Sequence, residues 1–126
     1  MKKGLLIIFA VLITITVNAQ KKKKNAKVSI EVDGVCMMCK KRIETAALKT
    51  KGVKFASWNV KTHELSLIID ERKTSIKTIQ KKVASVGHDT KAIKATEEQY
   101  NSVHPCCKYR EEKVVEDHKN EGKKKN

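Results

Sequence analysis

Between residues 28 and 95 the apolar side chains form six successive patterns. They alternate with polar residues in one segment, recur at helical spacing in the next, alternate in two more segments, recur at helical spacing again and alternate weakly in the last. Alternation is typical of a half-buried β-strand, whereas a spacing of three to four residues is typical of an amphipathic helix. The order of elements is therefore β-α-β-β-α-β. This order predicts an α+β fold of the ferredoxin-like kind, a sandwich in which a four-stranded antiparallel sheet carries two helices on one face.

Polar residues and glycines mark the ends of the predicted strands and helices. Strands are expected at residues 28–32, 53–60, 64–69 and, more weakly, 89–95. The first helix is expected at residues 39–50, and the second follows an N-cap at Thr74 or Ser75. Gly52 and Gly87 are expected to end these helices, because glycine readily adopts the left-handed conformation that follows many of them.

Residues 1–19 have the pattern of a secretory signal peptide. Lys2 and Lys3 supply the positive start, residues 5–17 form an apolar run, and Val17-Asn18-Ala19 offers small residues for cleavage. We expect cleavage after Ala19 and export of the remaining chain, with the periplasm as its compartment. An uncleaved membrane anchor is the alternative, although the run is shorter than the roughly 20 residues that a spanning helix needs.

The chain is basic, with a formal net charge of +14, and lysine runs at its ends carry much of that charge. Residues 20–26 form a basic N-terminal arm, and a charged tail begins at Lys108, after a short helix expected within residues 97–103. Such runs are typical of solvated segments, with peripheral contact to an anionic membrane as the alternative. Aromatic residues make up only 4% of the chain, too few to stack on bases, so we expect no nucleic-acid partner. We also expect the protein to be a monomer.

The four cysteines form two close pairs, Cys36 with Cys39 and Cys106 with Cys107. Close pairs favour metal binding or redox chemistry over a framework of disulfides that joins distant segments. The first pair lies between a strand and a helix, where unpaired backbone N–H groups stabilise a thiolate, and Lys40 and Lys41 add positive charge nearby. Two thiolates with few other ligands suit Cu(I), Ag(I) or Hg(II), whereas a structural Zn(II) site needs four ligands.

In this order of elements, the motif Cys36-x-x-Cys39 resembles the heavy-metal-associated domain, the module of copper chaperones, copper-pump N-terminal domains and periplasmic mercury-binding proteins. The resemblance also includes Ile43-Glu44, Ala46-Ala47, Gly52-Val53 and Gly87-His88-Asp89. It covers residues 27–95 and leaves residues 96–126 as an extension. It implies that Cys36 and Cys39 hold the metal, and that the protein is a binding protein whose partner is a metal donor or acceptor with soft ligands.

Two positions depart from the usual pattern of that family. Gly34 stands where the family usually has a methionine beneath the metal loop, so Val35, Met37 or Met38 is expected to fill the space. His88 stands where the family commonly has tyrosine or lysine. In the predicted fold the start of the fourth strand lies beside the end of the first, so His88 is expected near the metal loop. It is either a third ligand, a pH-sensitive neighbour of the site or a surface histidine after a helix cap.

The extension carries its own group of soft ligands, His104-Pro105-Cys106-Cys107. If residues 96–103 fold back across the domain, Cys106 and Cys107 close the first site into three or four ligands. Otherwise they form a second site, or a disulfide link to the first pair. Met37 and Met38 are expected to contact a partner rather than the metal.

Three functions remain open from the sequence. The first is an exported carrier or scavenger of Cu(I), with Hg(II), Ag(I) or Zn(II) as other ions, which transfers metal by thiolate exchange and is not an enzyme. The second is a thiol–disulfide redox protein, because a C-x-x-C motif at a helix start is also a redox arrangement. The third is an adhesion module with a structural disulfide. An oxidising compartment is the main physical objection to the first function, since the thiols must stay reduced.

His63 and His118 are expected to be ordinary surface histidines.

Overall fold

The computed structural model of the 126-residue chain describes residues 20–124, and the expected signal peptide at residues 1–19 lies outside them. The strands are β1 (Ala26–Glu31), β2 (Val53–Trp58) and β3 (Glu64–Ile69). The helices are α1 (Met37–Leu48), α2 (Ile76–Ser85), α3 (Glu97–Asn101) and α4 (Glu112–Lys123), with a 3₁₀ turn at Pro105–Cys107 between the last two. None of the described helices is both long enough and apolar enough to span a bilayer.

The sheet is antiparallel, and its strands lie in the order β1-β3-β2. The predicted hairpin of β2 and β3 is present, and it pairs Trp58 with Leu65, while Val28 of β1 lies opposite Leu67. One face of the sheet packs against α1 and α2. The buried side chains of this core include Ile30, Ile43, Ala47, Trp58, Leu65, Leu67, Ile69, Ile79 and Val83.

The prediction of a fourth strand at residues 89–95 is wrong, because the described part of the chain forms three strands. The segment starts beside β1 as expected. Thr90 forms a single antiparallel bridge with Val32, and the Asp33 N–H donates to the Asp89 carbonyl at 2.9 Å. The pairing then stops, so the start of this segment reaches the β1 edge without extending the sheet.

Local hydrogen bonds explain why the pairing stops. The N–H and the hydroxyl of Thr90 both donate to the Ile93 carbonyl, at 2.8 and 3.0 Å. The Ala95 N–H donates to the Asp89 carboxylate at 2.7 Å. Threonine and aspartate side chains that bond nearby backbone groups compete with a sheet ladder, and here they turn the chain away from β1.

The helix ends confirm two sequence predictions and correct a third. Ser75 caps α2, since its hydroxyl accepts the Thr78 N–H at 3.2 Å, and Gly87 follows the C-cap of that helix with φ of 97°. Gly52 does not follow the C-cap of α1, because the helix ends with Lys49 as its C-cap. Gly52 instead lies in the turn before β2, where its φ of 93° needs a residue without a Cβ.

The extension folds back onto the domain. It contains the expected short helix as α3, and the sequence did not reveal that the charged segment after Lys108 contains helix α4. The Tyr109 hydroxyl donates to the Gly87 carbonyl at 2.7 Å and accepts the Asp89 N–H at 2.9 Å. The Arg110 guanidinium binds both carboxylate oxygens of Asp89, at 2.8 and 3.1 Å. These bonds attach the extension to the loop that follows α2.

Trp58 fills the space beneath the loop between β1 and α1. Its side chain is buried, and a Cβ added to Gly34 would lie 2.9 Å from the indole ring, so glycine is the residue that lets the loop lie on this ring. The expectation that a methionine fills this space is wrong, since Met37 and Met38 are 66% and 46% exposed. Val35 packs only partly against the core.

We predict that Trp58→Phe destabilises the reduced, metal-free protein by about 1–3 kcal/mol. The indole N–H donates to the Val32 carbonyl at 3.0 Å, and phenylalanine leaves this buried acceptor without its donor. Urea unfolding provides the measurement. Phe55→Leu, at a side chain that is 47% exposed on the sheet, is the control and should change stability by less than about 0.5 kcal/mol. Equal effects of the two substitutions would contradict the prediction.

Candidate functional site

Four thiols lie together where the loop before α1 meets the 3₁₀ turn of the extension. The Cys36 sulfur lies 3.3 Å from that of Cys39 and 3.4 Å from that of Cys107, and the Cys106 and Cys107 sulfurs are 3.9 Å apart. The sulfurs of Cys36, Cys106 and Cys107 all lie within 4.8 Å of one another. All four cysteines are free thiols. The fold therefore brings together two pairs that are about seventy residues apart in the chain, the arrangement that the sequence left open.

The thiol cluster of Cys36, Cys39, Cys106 and Cys107 has a buried side and an open side. Cys39 and Cys107 are fully buried, whereas Cys36 and Cys106 are partly exposed. The open side faces a pocket of about 360 Å³ whose lining includes Met37 and Met38. A solute can therefore approach the cluster from one direction, along Cys36 and Cys106.

Cys36 is the N-cap of α1, and this position controls its protonation. Its sulfur accepts the Cys39 N–H at 3.4 Å. Burial opposes ionisation of Cys36, but the N–H groups of Cys39 and Met38 and the thiols of Cys39 and Cys107 donate to its sulfur, and the net result is a lowered pKa. Cys36 is thus the first of the four thiols to become a thiolate, the form that binds metal.

The other three thiols hold their protons more strongly. Burial raises the pKa of Cys39, Cys106 and Cys107, and at Cys107 the neighbouring sulfurs of Cys36 and Cys39 raise it further. In the metal-free protein Cys36 is therefore the most acidic of the four thiols. A cation that binds several of these sulfurs must displace protons from them.

Lys40 does not supply the positive charge that the sequence analysis expected beside the thiols. Its ammonium group is bound by the Glu44 carboxylate and donates to the Trp58 carbonyl at 2.7 Å. The acidity of Cys36 therefore comes from N–H and thiol donors.

His88 lies outside the thiol cluster. It is fully buried, so the interpretation as a surface histidine is wrong. Its Nδ1 lies 2.8 Å from the Asp33 carbonyl, which accepts the N–H of a neutral ring, and the ring stacks on Tyr109 with centroids 5.4 Å apart. Its Nε2 is buried without a hydrogen-bond partner among residues 20–124. His88 does not belong to the group of Cys36, Cys106 and Cys107, and neither does Cys39, whose sulfur lies 3.3 Å from that of Cys36.

Two further soft donors surround Cys106 on the open side. The Cys106 thiol donates to the Met38 thioether at 3.4 Å, and the His104 Nδ1 lies 3.2 Å from the Cys106 sulfur. His118 of α4 is tied to this turn, because its Nε2 lies 2.9 Å from the Cys106 carbonyl. His63 stacks on Trp58, with ring centroids 5.7 Å apart. Of the two histidines expected to be ordinary surface residues, one thus holds the cysteine turn and the other covers the tryptophan beneath the loop.

Sequence reasoning missed the residues that hold the site together: Trp58, Tyr109, Arg110 and His118. None of them belongs to a motif with its own sequence signature. The only signal was that three of them follow the Cys106-Cys107 pair within a few residues or about three helical turns. Their roles arise from contacts with residues that are distant in the chain.

Comparison with known proteins identifies the part of the chain that carries the first pair. Residues 29–89 match the family model described as heavy-metal-associated domain. No curated protein matches the sequence of the chain. The extension with Cys106 and Cys107 lies beyond the matched residues.

Solved structures share the fold of this region. One is described as CopZ metallochaperone, with 24% identity over 52% of this chain and 98% of that one, and a TM-score of 0.50. Another is a copper binding domain from a P-type ATPase, with 21% identity over 52% and 89% of the two chains and a TM-score of 0.50. A third is the N-terminal domain of a potential copper-translocating P-type ATPase from Bacillus subtilis in the Cu(I)-loaded state, with 22% identity, coverage of 52% and 84%, and a TM-score of 0.50.

We predict that the stability of the protein falls as the pH drops, because burial lowers the pKa of His88 from 6.5 to about 4. The unfolded chain takes up a proton at the ordinary pKa and the folded chain does not, so stability is complete above 6.5 and is lost progressively below it. The loss between about pH 7.5 and about pH 5 should be about 2 kcal/mol in urea unfolding. His88→Gln should remove this part of the pH dependence. An equal loss in the variant would contradict the prediction.

Proposed function

We propose that this protein, whose residues 29–89 match the heavy-metal-associated domain, is an exported carrier or scavenger of Cu(I). The observation that carries the proposal is the pair of sulfurs of Cys36 and Cys39, 3.3 Å apart at the N-terminus of α1. The protein acts as a binding protein and not as an enzyme. Copper is its cargo.

The donor atoms favour Cu(I) among the possible ions. The side chains around the site offer thiol and thioether sulfur, which soft ions prefer over the oxygen ligands of Mg²⁺ or Ca²⁺. Cys36 supplies the first thiolate, and Cys39 gives up its proton when the ion binds. Ag(I) and Hg(II) share this preference. Two structures of similar fold are described as a copper binding domain and as a Cu(I)-loaded domain, which agrees with this choice of ion.

Transfer takes place by exchange of thiolates, without a change in the oxidation state of the ion. A thiolate of the donor or acceptor protein bonds to the ion first, which gives three sulfur ligands, and a resident sulfur–metal bond then breaks. The partly exposed Cys36 is the resident sulfur that such a partner reaches from solvent. Met37, which is 66% exposed beside it, offers an adaptable apolar contact for the partner.

The redox and structural-disulfide functions receive less support. The four thiols are free, and the matched family is one of metal-binding domains. Metal bound to the thiolates also protects them from oxidation, which answers the objection that an exported protein meets an oxidising environment.

We predict that Cys36→Ser and Cys39→Ser, each introduced into the Cys106→Ser/Cys107→Ser variant, weaken Cu(I) binding at least about a hundredfold, because each then removes one of the two remaining thiols. The measurement is an anaerobic titration of the reduced protein in competition with a Cu(I) chelator. Phe55→Leu in the same background, at a side chain that is 47% exposed on the sheet, is the control and should bind as that background does. Tight binding in the variant that lacks Cys36, Cys106 and Cys107 would refute the proposed function.

Export has its own test. We predict that the protein recovered from its native cells has lost residues 1–19 and begins at Gln20, because Val17-Asn18-Ala19 is a cleavage signal. The intact mass and the cell fraction in which the protein is found give the answer. Full-length protein starting at Met1 in the cytoplasmic fraction would contradict export and would leave metal binding unaffected.

A further inference from the structure

We propose that Cys106 and Cys107 of the extension complete a four-thiol site with Cys36 and Cys39, and that the extension acts as a clamp that retains the bound ion. This inference rests on the proposed function and adds to it. The matched family region, residues 29–89, supplies only half of the ligands. The other half comes from a segment that lies outside that region and returns to it in the folded protein.

The first support is the position of the sulfurs. Cys107 is fully buried, and its sulfur lies 3.4 Å from that of Cys36. Four zinc–sulfur bonds of about 2.3 Å in a tetrahedron place neighbouring sulfurs about 3.8 Å apart. Three of the six sulfur pairs, at 3.3, 3.4 and 3.9 Å, lie close to this value. Cys39 lies outside the group of Cys36, Cys106 and Cys107 whose sulfurs are all within 4.8 Å of one another, so its side chain moves towards that group when the ion binds.

The second support is that the cysteine turn is held in place from several sides. The Cys107 N–H donates to the His104 carbonyl at 2.7 Å, and His118 of α4 bonds to the Cys106 carbonyl. Immediately after the turn, Tyr109 and Arg110 bind the loop that follows α2. Arg110 also donates to the Ala95 carbonyl at 2.9 Å. A segment fixed this firmly presents its two thiols at a defined position.

A buried cysteine often serves only as a small apolar side chain, and this explanation must be weighed for Cys107. It does not account for Cys106, which is partly exposed and points its thiol at the sulfur of Met38. Nor does packing require four sulfurs to converge from two distant segments. Ligation explains both features, because thiolates from the two segments share one ion.

The four-thiol site has two chemical consequences. It offers enough sulfur ligands for ions that require three or four of them, so the site accepts Zn(II) and Cd(II) besides Cu(I). It also slows exchange, because Cys39 and Cys107 are hidden and an incoming thiolate reaches only Cys36 and Cys106. Complete transfer then requires the turn at Pro105–Cys107 to lift from the domain. This arrangement favours retention of the ion over rapid transfer.

The test uses the reduced, metal-free protein and the variant Cys106→Ser/Cys107→Ser, with Co(II) as a spectroscopic probe. Charge-transfer absorbance from thiolate to Co(II) grows with the number of thiolate ligands, so the absorbance per bound ion should fall by about half in the variant. Release of Cu(I) to an excess of chelator should become at least about tenfold faster. Phe55→Leu, at a side chain that is 47% exposed on the sheet, is the control and should change neither quantity.

Two further variants keep the test decisive. Serine at the buried position 107 could unfold the protein. We therefore also measure Cys107→Ala, which removes the ligand without adding a polar group. Cys106→Ser is measured beside it, because this position is partly exposed. Unchanged Co(II) absorbance and unchanged Cu(I) release in all the extension variants would overturn the clamp and leave the two-thiol carrier intact. Tight Cu(I) binding after Cys36→Ser is added to Cys106→Ser/Cys107→Ser would instead refute the proposed function itself.

Discussion

The ion pair of Asp89 and Arg110 is the interaction on which the assembled site depends. The Asp89 side chain is 7% exposed, and burial raises the pKa of its carboxyl group, but the Arg110 guanidinium and the Ala95 N–H bind it and lower the pKa overall. A buried carboxylate is costly without such partners. Asp89 belongs to the matched domain and Arg110 to the extension, only three residues after Cys107. The pair therefore determines where the second two thiols lie.

The anchoring of the extension and the loss of the fourth strand are connected. The Asp89 carboxylate accepts hydrogen bonds from Arg110 and Ala95, and the Thr90 hydroxyl donates to the Ile93 carbonyl. Because of these bonds the segment turns away from the sheet after one bridge to Val32. Among residues 20–124 the sheet therefore keeps three strands. His88 is buried in this junction against Tyr109, which explains why it is neither a surface residue nor a member of the thiol cluster.

Local patterns predicted much of the fold and the first half of the site. The hairpin, the cap at Ser75, the glycine after α2 and the position of Cys36 before α1 all follow from spacing and from residue types that act on their immediate neighbours. The errors share a different cause. Trp58 beneath the loop, His88 in the junction and the curled segment at Asp89 depend on contacts across the fold, which no local period encodes.

The sequence by itself determined the order of the elements and placed two thiols at a helix start, because hydrophobic periods and helix caps are properties of short segments. The sequence also contains the pair Cys106 and Cys107, but it left open whether this pair meets Cys36 and Cys39. Only the tertiary structure decided that all four sulfurs meet, with Cys36 and Cys107 3.4 Å apart. The physical reason is that this meeting rests on the long-range bonds of Asp89, Tyr109 and Arg110, whose partners are known only once the chain has folded.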